Sequence, residues 1–433
     1  MDVAILRGDA QLALISGLWG LCVLWNVCCR YLPDSYAGFW LTSKQRGGVA
    51  EAFVVLLCGY SSALVQETVH GPRRLQIEIR SMLSLGQNGF RSLWLCGCQA
   101  VLSVWLTTLL TLLVPIVEHA PLDLWMLTRC SLLIQPLMPL RAASCPCQQG
   151  LVIASLMPCW FMSPLMFQAF SAVGSSKGVT GLLFVGCMLW LPSCFVVMEC
   201  REPQDPGSAS DFTDIIRRRP ETALVLFSLG IIAALIGRHI HSDSTSLNSG
   251  SNSLVEPKDC VVTDRSPKMM LCLGWISDIT ACSIGAAVLF LPPTVSWCTR
   301  LGVLNCFLTM PFFAFLCLLP PKRPHGGVMR LLQHKSLVSL GACAFEVYIL
   351  QDVVFSRFEF LLPQSRSSPE CFMAFLLCLW LVAGSFVELV SARLCMWGAA
   401  FCGLSSRGRL LDLAAGLDTQ ISSDSDASSD SMD

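Results

Sequence analysis

Four polar side chains crowd one short stretch of apolar sequence: Glu346, Tyr348, Gln351 and Asp352, within FEVYILQDVVF at 345–355. On a helix, positions three and four apart lie on one face, so Tyr348, Gln351 and Asp352 form a single polar group. Polar groups at membrane depth are costly and persist mostly where they face a bundle interior or a cavity. Such a group reads equally as a substrate site or as an interhelical hydrogen-bond cluster. Asp352 has no basic partner on its own helix at 348 or 356.

Three further groups could take part. Glu51 stands at the mouth of an apolar run in GGVAEAFVVLLCGY, as an interfacial carboxylate or as one that positions a substrate or acts as a base. Arg73, Arg74 and Arg80 follow that run. Guanidinium groups bind phosphates through charge-assisted, often bidentate hydrogen bonds, which suits a nucleotide-like donor. The same arginines serve as topology determinants. Trp160 and Ser163, in PCWFMSPLMF, line a pocket or act as an interface anchor and a backbone-bonded hydroxyl. Glu388 and Arg393, five apart in FVELVSAR, fit a role at a helix end better than a catalytic one. The six histidines fall in expected loops or at span ends, and GxxxxGK[ST], GxSxG and HExxH are absent.

The elements that carry these residues follow from composition. Of 433 residues, 54% are hydrophobic and only 14% charged, with mean hydropathy +0.61. Soluble domains carry about 25% charged residues. The deficit runs the length of the chain, so an all-α, polytopic integral membrane bundle is expected. A net charge of −1 and the lack of a basic, aromatic-rich face argue against nucleic acid as a partner. The first apolar run reads as an uncleaved anchor. Most of the 24 cysteines sit singly in apolar runs as small hydrophobes. The CxC pairs at 96/98 and 145/147 lack a second pair or a histidine at zinc spacing, so no metal is expected.

A membrane-spanning helix needs about 20 apolar residues. Candidate spans are 10–29, 50–66, 92–117, 122–139, 150–172, 178–198, 221–237, 268–292, 301–320, 336–358 and 370–397. The weakest are 122–139, with Arg129 and several prolines, and 221–237, which is short. The expected count is therefore about ten transmembrane helices, within nine to eleven. The positive-inside tendency places the N-terminus inside, 30–49 outside and 67–91 inside. Residues 1–404 form the expected bundle, with a Ser-, Asn- and Asp-rich extramembrane loop at 239–267. Residues 405–433, ending SSDSDASSDSMD, form an acidic serine-rich tail expected to be disordered. Ser423 is its best-placed phosphorylatable serine.

Five segments, in order, resemble the type 3 membrane acyltransferases, integral-membrane enzymes that acylate hydroxyl groups. They are LRG at 6–8, EAFVVLLCGY at 51–60, CWFMSPLMF at 159–167, FEVYILQDVV at 345–354 and FVELVSAR at 386–393. The resemblance implies a bundle of about ten helices and an acyl-CoA-type donor entering from the cytoplasm, with no cofactor held. It implies a hydroxyl acceptor on a sugar, lipid or small molecule. On this reading Glu51 and Asp352 are base or positioning groups, and Arg73, Arg74 and Arg80 bind donor phosphates. Trp160, Ser163, Tyr348 and Gln351 line the substrate pocket. The chain departs from the pattern in four ways. The family's first-span histidine has no counterpart in 9–29, where Asn26 is the nearest amide. Gln351 stands where the family often has His, the RxxR donor motif is replaced by Arg73, Arg74 and Arg80, and the expected prolines after Gln351 and Glu388 are missing. A base accelerates acyl transfer by about 10²–10⁴-fold, and only the carboxylates Glu51, Glu346 and Asp352 offer one. The alternatives are an enzyme that has lost catalysis, a transporter or lipid-binding membrane protein, and a scaffold whose acidic tail recruits a partner.

Overall fold

The computed structural model describes residues 10–32, 47–74, 104–105, 149–199, 220–246, 267–290, 303–319, 326–361 and 369–386. No strand occurs among them, and the fold is all-α. The helices are α1 (Ala10–Tyr31), α2 (Gly47–Arg74), α3 (Gln149–Glu199), α4 (Pro220–Ser246), α5 (Pro267–Phe290), α6 (Val303–Cys317), α7 (Gly327–Leu332), α8 (Lys335–Ala342), α9 (Ala344–Leu361) and α10 (Pro369–Phe386). Met1–Gly384 pack as one unit and Ser385–Asp433 as a second, of which only the last two residues of α10 are described.

Four helices are long and apolar enough to cross a membrane, over Ala13–Tyr31, Val49–Gln66, Val152–Leu191 and Glu221–Ile240. The bent pair Lys335–Ala342 and Ala344–Glu359, broken by 64°, makes up to five. These coincide with six of the expected spans, because 150–172 and 178–198 lie on the continuous α3. The expected spans 268–292, 301–320 and 370–397 overlap α5, α6 and α10. The span 122–139 and nearly all of 92–117 lie outside the described residues, as do 247–266 and the tail 405–433.

α3 doubles back. Met166 Sδ accepts a 3.4 Å hydrogen bond from Ser228, and a Cβ at Gly186 would meet Leu229 at 3.6 Å. Residues 166 and 186 would stand about 30 Å apart on a straight helix, yet both lie beside 228–229. The reversal falls at Gly178, with φ 63° and ψ −156°, a region open essentially only to glycine. Two helical segments lying side by side thus come from one helical run, over the stretch where 150–172 and 178–198 are the expected spans. α4 exceeds its expected 221–237: it stays helical through Arg238 and His239 to Ser246, so the start of the predicted loop at 239–267 is helical.

The core is organised on α2. Every residue from Val49 to Tyr60 is buried, so this helix is covered on all sides. α1, α3, α4 and α6 pack around it. α4 comes close because Gly59 and Gly230 face each other: a Cβ at Gly59 would lie 2.0 Å from the Phe227 carbonyl oxygen, and one at Gly230 2.1 Å from that of Leu56. α1 meets α8 the same way, with Gly341 against the Ser16 backbone and Ser16 Oγ donating to the Val338 carbonyl at 3.0 Å. Small residues that let helix backbones touch are a hallmark of packing in membranes, where water supplies no drive to association. α8 and α9 in turn pack on α1, bringing the polar stretch of α9 to the junction of α1 and α2.

Candidate functional site

Arg30, the only charged residue of α1, ends that helix between two carboxylates. Its Nη2 donates to Glu51 Oε1 at 2.8 Å and its Nη1 to Asp352 Oδ1 at 3.4 Å. The Tyr31 hydroxyl also donates to Asp352 Oδ1. Gln351 Nε2 donates to Asn26 Oδ1 at 3.1 Å, and both amides are fully buried. Asn26 and Arg30 are four apart on α1, as Tyr348 and Asp352 are on α9, so each helix turns one polar face to the junction. Tyr348 is fully buried there and acts electrostatically on Arg30.

The centre is sealed on one side and open on the other. The Glu51 side chain is 1% exposed, whereas those of Arg30 and Asp352 are 19% and 25% exposed. Aromatic rings fix its rim: Tyr31 lies 4.3 Å from Phe355 of α9 and 5.4 Å from Phe375 of α10, ring centre to ring centre. Beneath it, Phe53 stacks on Phe312 of α6 at 3.8 Å. A solvated carboxylate pair would gain little from one arginine. Here, with Glu51 out of water, Arg30 is the cationic partner that offsets the cost of burying an acidic group.

The predicted residues fall into three places. Glu51, Tyr348, Gln351 and Asp352 converge on Arg30. Asp352 thus has a basic partner, on another helix. Ser163 belongs to a second buried group between α2 and α3, and Trp160 is buried on the same helix α3. Ser163 and Ser62 share a 2.6 Å hydrogen bond, and Gln66 Nε2 donates to Ser163 Oγ at 3.5 Å. Ser62 is eleven residues from Glu51, about 16 Å along the helix axis. The hydroxyl of Ser163 is therefore bonded across helices. Arg73 and Arg74 end α2, 22 residues and about 33 Å of helix rise from Glu51. That separation matches the roughly 30 Å hydrocarbon thickness of a bilayer. Arg80, Glu388, Arg393 and both CxC pairs lie outside the described residues.

Arg30 and Tyr31 are the residues that sequence reasoning passed over. The expected first span ended at 29, which left them as flanking residues. The available signal was weak: a lone arginine at the end of one apolar run, and a lone carboxylate at the start of the next.

Other polar groups have structural roles. Asp278 of α5 accepts hydrogen bonds from the backbone N–H groups of Gly327 and Val328, at 2.7 and 3.0 Å, and so caps α7 from outside. A groove of about 460 Å³ beside it, lined by Trp275, Ile279, Cys282 and Ala286, is apolar and open. His334 caps α8, and His239 lies against Gly174 near the reversal of α3. Among the described residues no three His, Cys, Asp or Glu side chains converge as metal ligands do. Comparison with family models, with curated proteins and with solved structures finds no match.

Proposed function

We propose that this chain is a multi-pass integral membrane protein of about ten spans that transfers an acyl group from an acyl-CoA-type donor to a hydroxyl. One observation carries the reading. Two of the five segments that resemble the type 3 membrane acyltransferases, 51–60 and 345–354, lie far apart in sequence, yet their acidic residues share one guanidinium. The membrane setting is supported by the apolar helices and by large side chains that face outward, among them Phe184, Met188, Trp275, Ile279, Leu377 and Leu381. A soluble protein rarely exposes so many.

In this reading Asp352, the more accessible carboxylate, takes the proton of the acceptor hydroxyl. The acceptor oxygen attacks the thioester carbonyl, the C–S bond breaks, and the thiol leaves with a proton. Arg30 and Tyr31 are positioning residues that aim Asp352, and Glu51 anchors Arg30 from the buried side. Arg73 and Arg74, at the opposite end of α2, bind the donor phosphates together with Arg80. The donor's arm then runs along α2 past Trp160, Ser62 and Ser163, toward Tyr348 and Gln351.

The test is acyl-CoA binding to the detergent-purified protein and to a variant with Arg73, Arg74 and Arg80 changed to Ala. Specific binding that the variant loses is the expected result. Transfer to a hydroxyl acceptor should then fall by about 10²–10⁴-fold in Asp352→Asn. A folded wild type that binds no acyl-CoA of any chain length would overturn the proposal. The chain would then be better described as a transporter or a scaffold.

A further inference from the structure

We propose that α7 and α8 form a docking surface for anionic lipid. Arg330 and Lys335 hold acidic phospholipid headgroups of the leaflet at the Arg73 end of α2, and Leu331 enters the acyl layer beside them. The inference rests on the multi-pass membrane reading and does not require acyl transfer.

The position of the two helices follows from their contacts. α1 and α2 run antiparallel: Trp19 Nε1 donates to Ser61 at 3.5 Å, and further along Arg30 donates to Glu51 at 2.8 Å. α7 is fixed on α1 near its start, since a Cβ at Gly17 would collide with the Leu332 carbonyl oxygen. Gly17 is four residues, about 6 Å of rise, past Ala13, where the apolar span of α1 begins. α8 continues along α1, with the Val338 carbonyl bonded to Ser16 Oγ at 3.0 Å. Both helices therefore lie near the membrane boundary. Gly17 is thirteen residues, about 20 Å of rise, from Arg30. This is the side on which α2 ends in Arg73 and Arg74. The positive-inside tendency makes it the cytoplasmic side.

The chemistry of the outward face selects the occupant. Met329, Leu332, Val338 and Gly341 are buried against the bundle. Arg330, His334 and Lys335 are exposed, and Leu331 among them is 60% exposed. A large apolar side chain next to cations suits the boundary between headgroups and acyl chains. A free phosphate compound would satisfy the cations and leave Leu331 in water. No Asp or Glu occurs from 279 to 345, whereas Lys322, Arg323, Arg330 and Lys335 fall within 322–335. Asp278 is the acid brought closest, and its oxygens accept the N–H groups of Gly327 and Val328. It ties α7 to α5. Among the described residues neither Arg330 nor Lys335 is in an ion pair. Each Lys or Arg at an anionic membrane surface raises affinity about fivefold, within a Debye length. A basic loop that only sets topology needs charge and no fixed shape. Here the cations stand on helices fastened to α1 and α5, so one orientation meets the leaflet.

Photocrosslinking of the full-length protein in proteoliposomes tests this. Two probes with the same acyl chains carry a photoreactive group near the headgroup, one on phosphatidylserine and one on phosphatidylcholine. Each is present below saturation in an otherwise neutral bilayer, and labelling of residues 326–340 is read by mass spectrometry. The serine lipid should be preferred, less so in high salt. Arg330→Gln/Lys335→Gln should lose about 25-fold of that preference at low salt, about fivefold for each cation. An unchanged thermal unfolding midpoint shows that the variant is folded. Equal labelling by the two lipids in the wild type would overturn the proposal, and so would a preference that the double variant keeps. Competition by glycerol 3-phosphate would also overturn it, by putting a free phosphate compound on the same cations. Release of the protein from membranes by alkaline carbonate would instead overturn the membrane reading, and this proposal with it.

Discussion

Arg30 joins two carboxylates from two other helices, so its loss carries a large energetic consequence. Removing one partner of a buried ion pair leaves the other uncompensated, which typically costs about 3–5 kcal/mol. Arg30→Met should therefore lower stability by about that amount, read as a fall in the thermal unfolding midpoint in detergent. Replacing a whole buried pair by apolar residues of similar volume is often neutral. The double variant Arg30→Met/Glu51→Met should accordingly recover most of the loss, since Asp352 is partly solvated. If the double variant is no better than Arg30→Met, the pair is not the source of the cost. Tyr31→Phe removes the hydroxyl that donates to Asp352 and should cost about 1–3 kcal/mol. Its ring contacts with Phe355 and Phe375 remain. The sequence exposed Glu51, Gln351 and Asp352 because a polar residue in an apolar run is conspicuous. Arg30 was not conspicuous, since a basic residue just past a span is ordinary.

Elements are held in place by positions where a side chain is missing. At Gly178 the backbone adopts φ 63° and ψ −156°, so Gly178→Ala should cost about 1–3 kcal/mol of strain. Nothing lies within 4 Å of the Cβ it would add, so any loss comes from the backbone alone. An unchanged unfolding midpoint would show that the backbone at Gly178 carries no such strain. Gly59→Val makes the opposite demand. The backbone at Gly178 can relax into solvent, whereas at Gly59 the Phe227 carbonyl occupies the space. This variant should separate α2 from α4 and yield protein that aggregates on size-exclusion chromatography. Asp278→Ala should free the start of α7 at a cost of about 1 kcal/mol, as loss of a cap does. The helices themselves were legible from apolar runs of sufficient length. The extension of α4 to Ser246 was not, because helical hydrogen bonds continue beyond the membrane-depth residues that the hydropathy pattern reports.

For the whole molecule, the outward-facing apolar side chains lead to a labelling prediction. Cys187, Cys272 and Cys282 are exposed, whereas Cys58 and Cys159 are buried. In native membranes the exposed three should react with a lipid-soluble maleimide and resist a charged, membrane-impermeant one. The buried two should resist both until the protein unfolds. Labelling of Cys187 by the impermeant reagent in intact membranes would contradict a lipid-facing α3. The sequence by itself determined the material of this protein. Its apolar runs fix an all-α chain with helices of membrane-spanning length, and the isolated carboxylates at 51 and 352 announce that something polar is kept inside. Those properties depend on residue type and on spacing along one helix, both of which a linear text contains. Only the tertiary structure decided that Glu51 and Asp352 both meet Arg30, that Tyr31 completes their centre, and that Ser163 bonds instead to Ser62, about 16 Å along α2 from Glu51. Pairing across helices depends on which faces touch. In apolar helices without a distinct polar stripe, that choice is made by glycines, which let one backbone approach another.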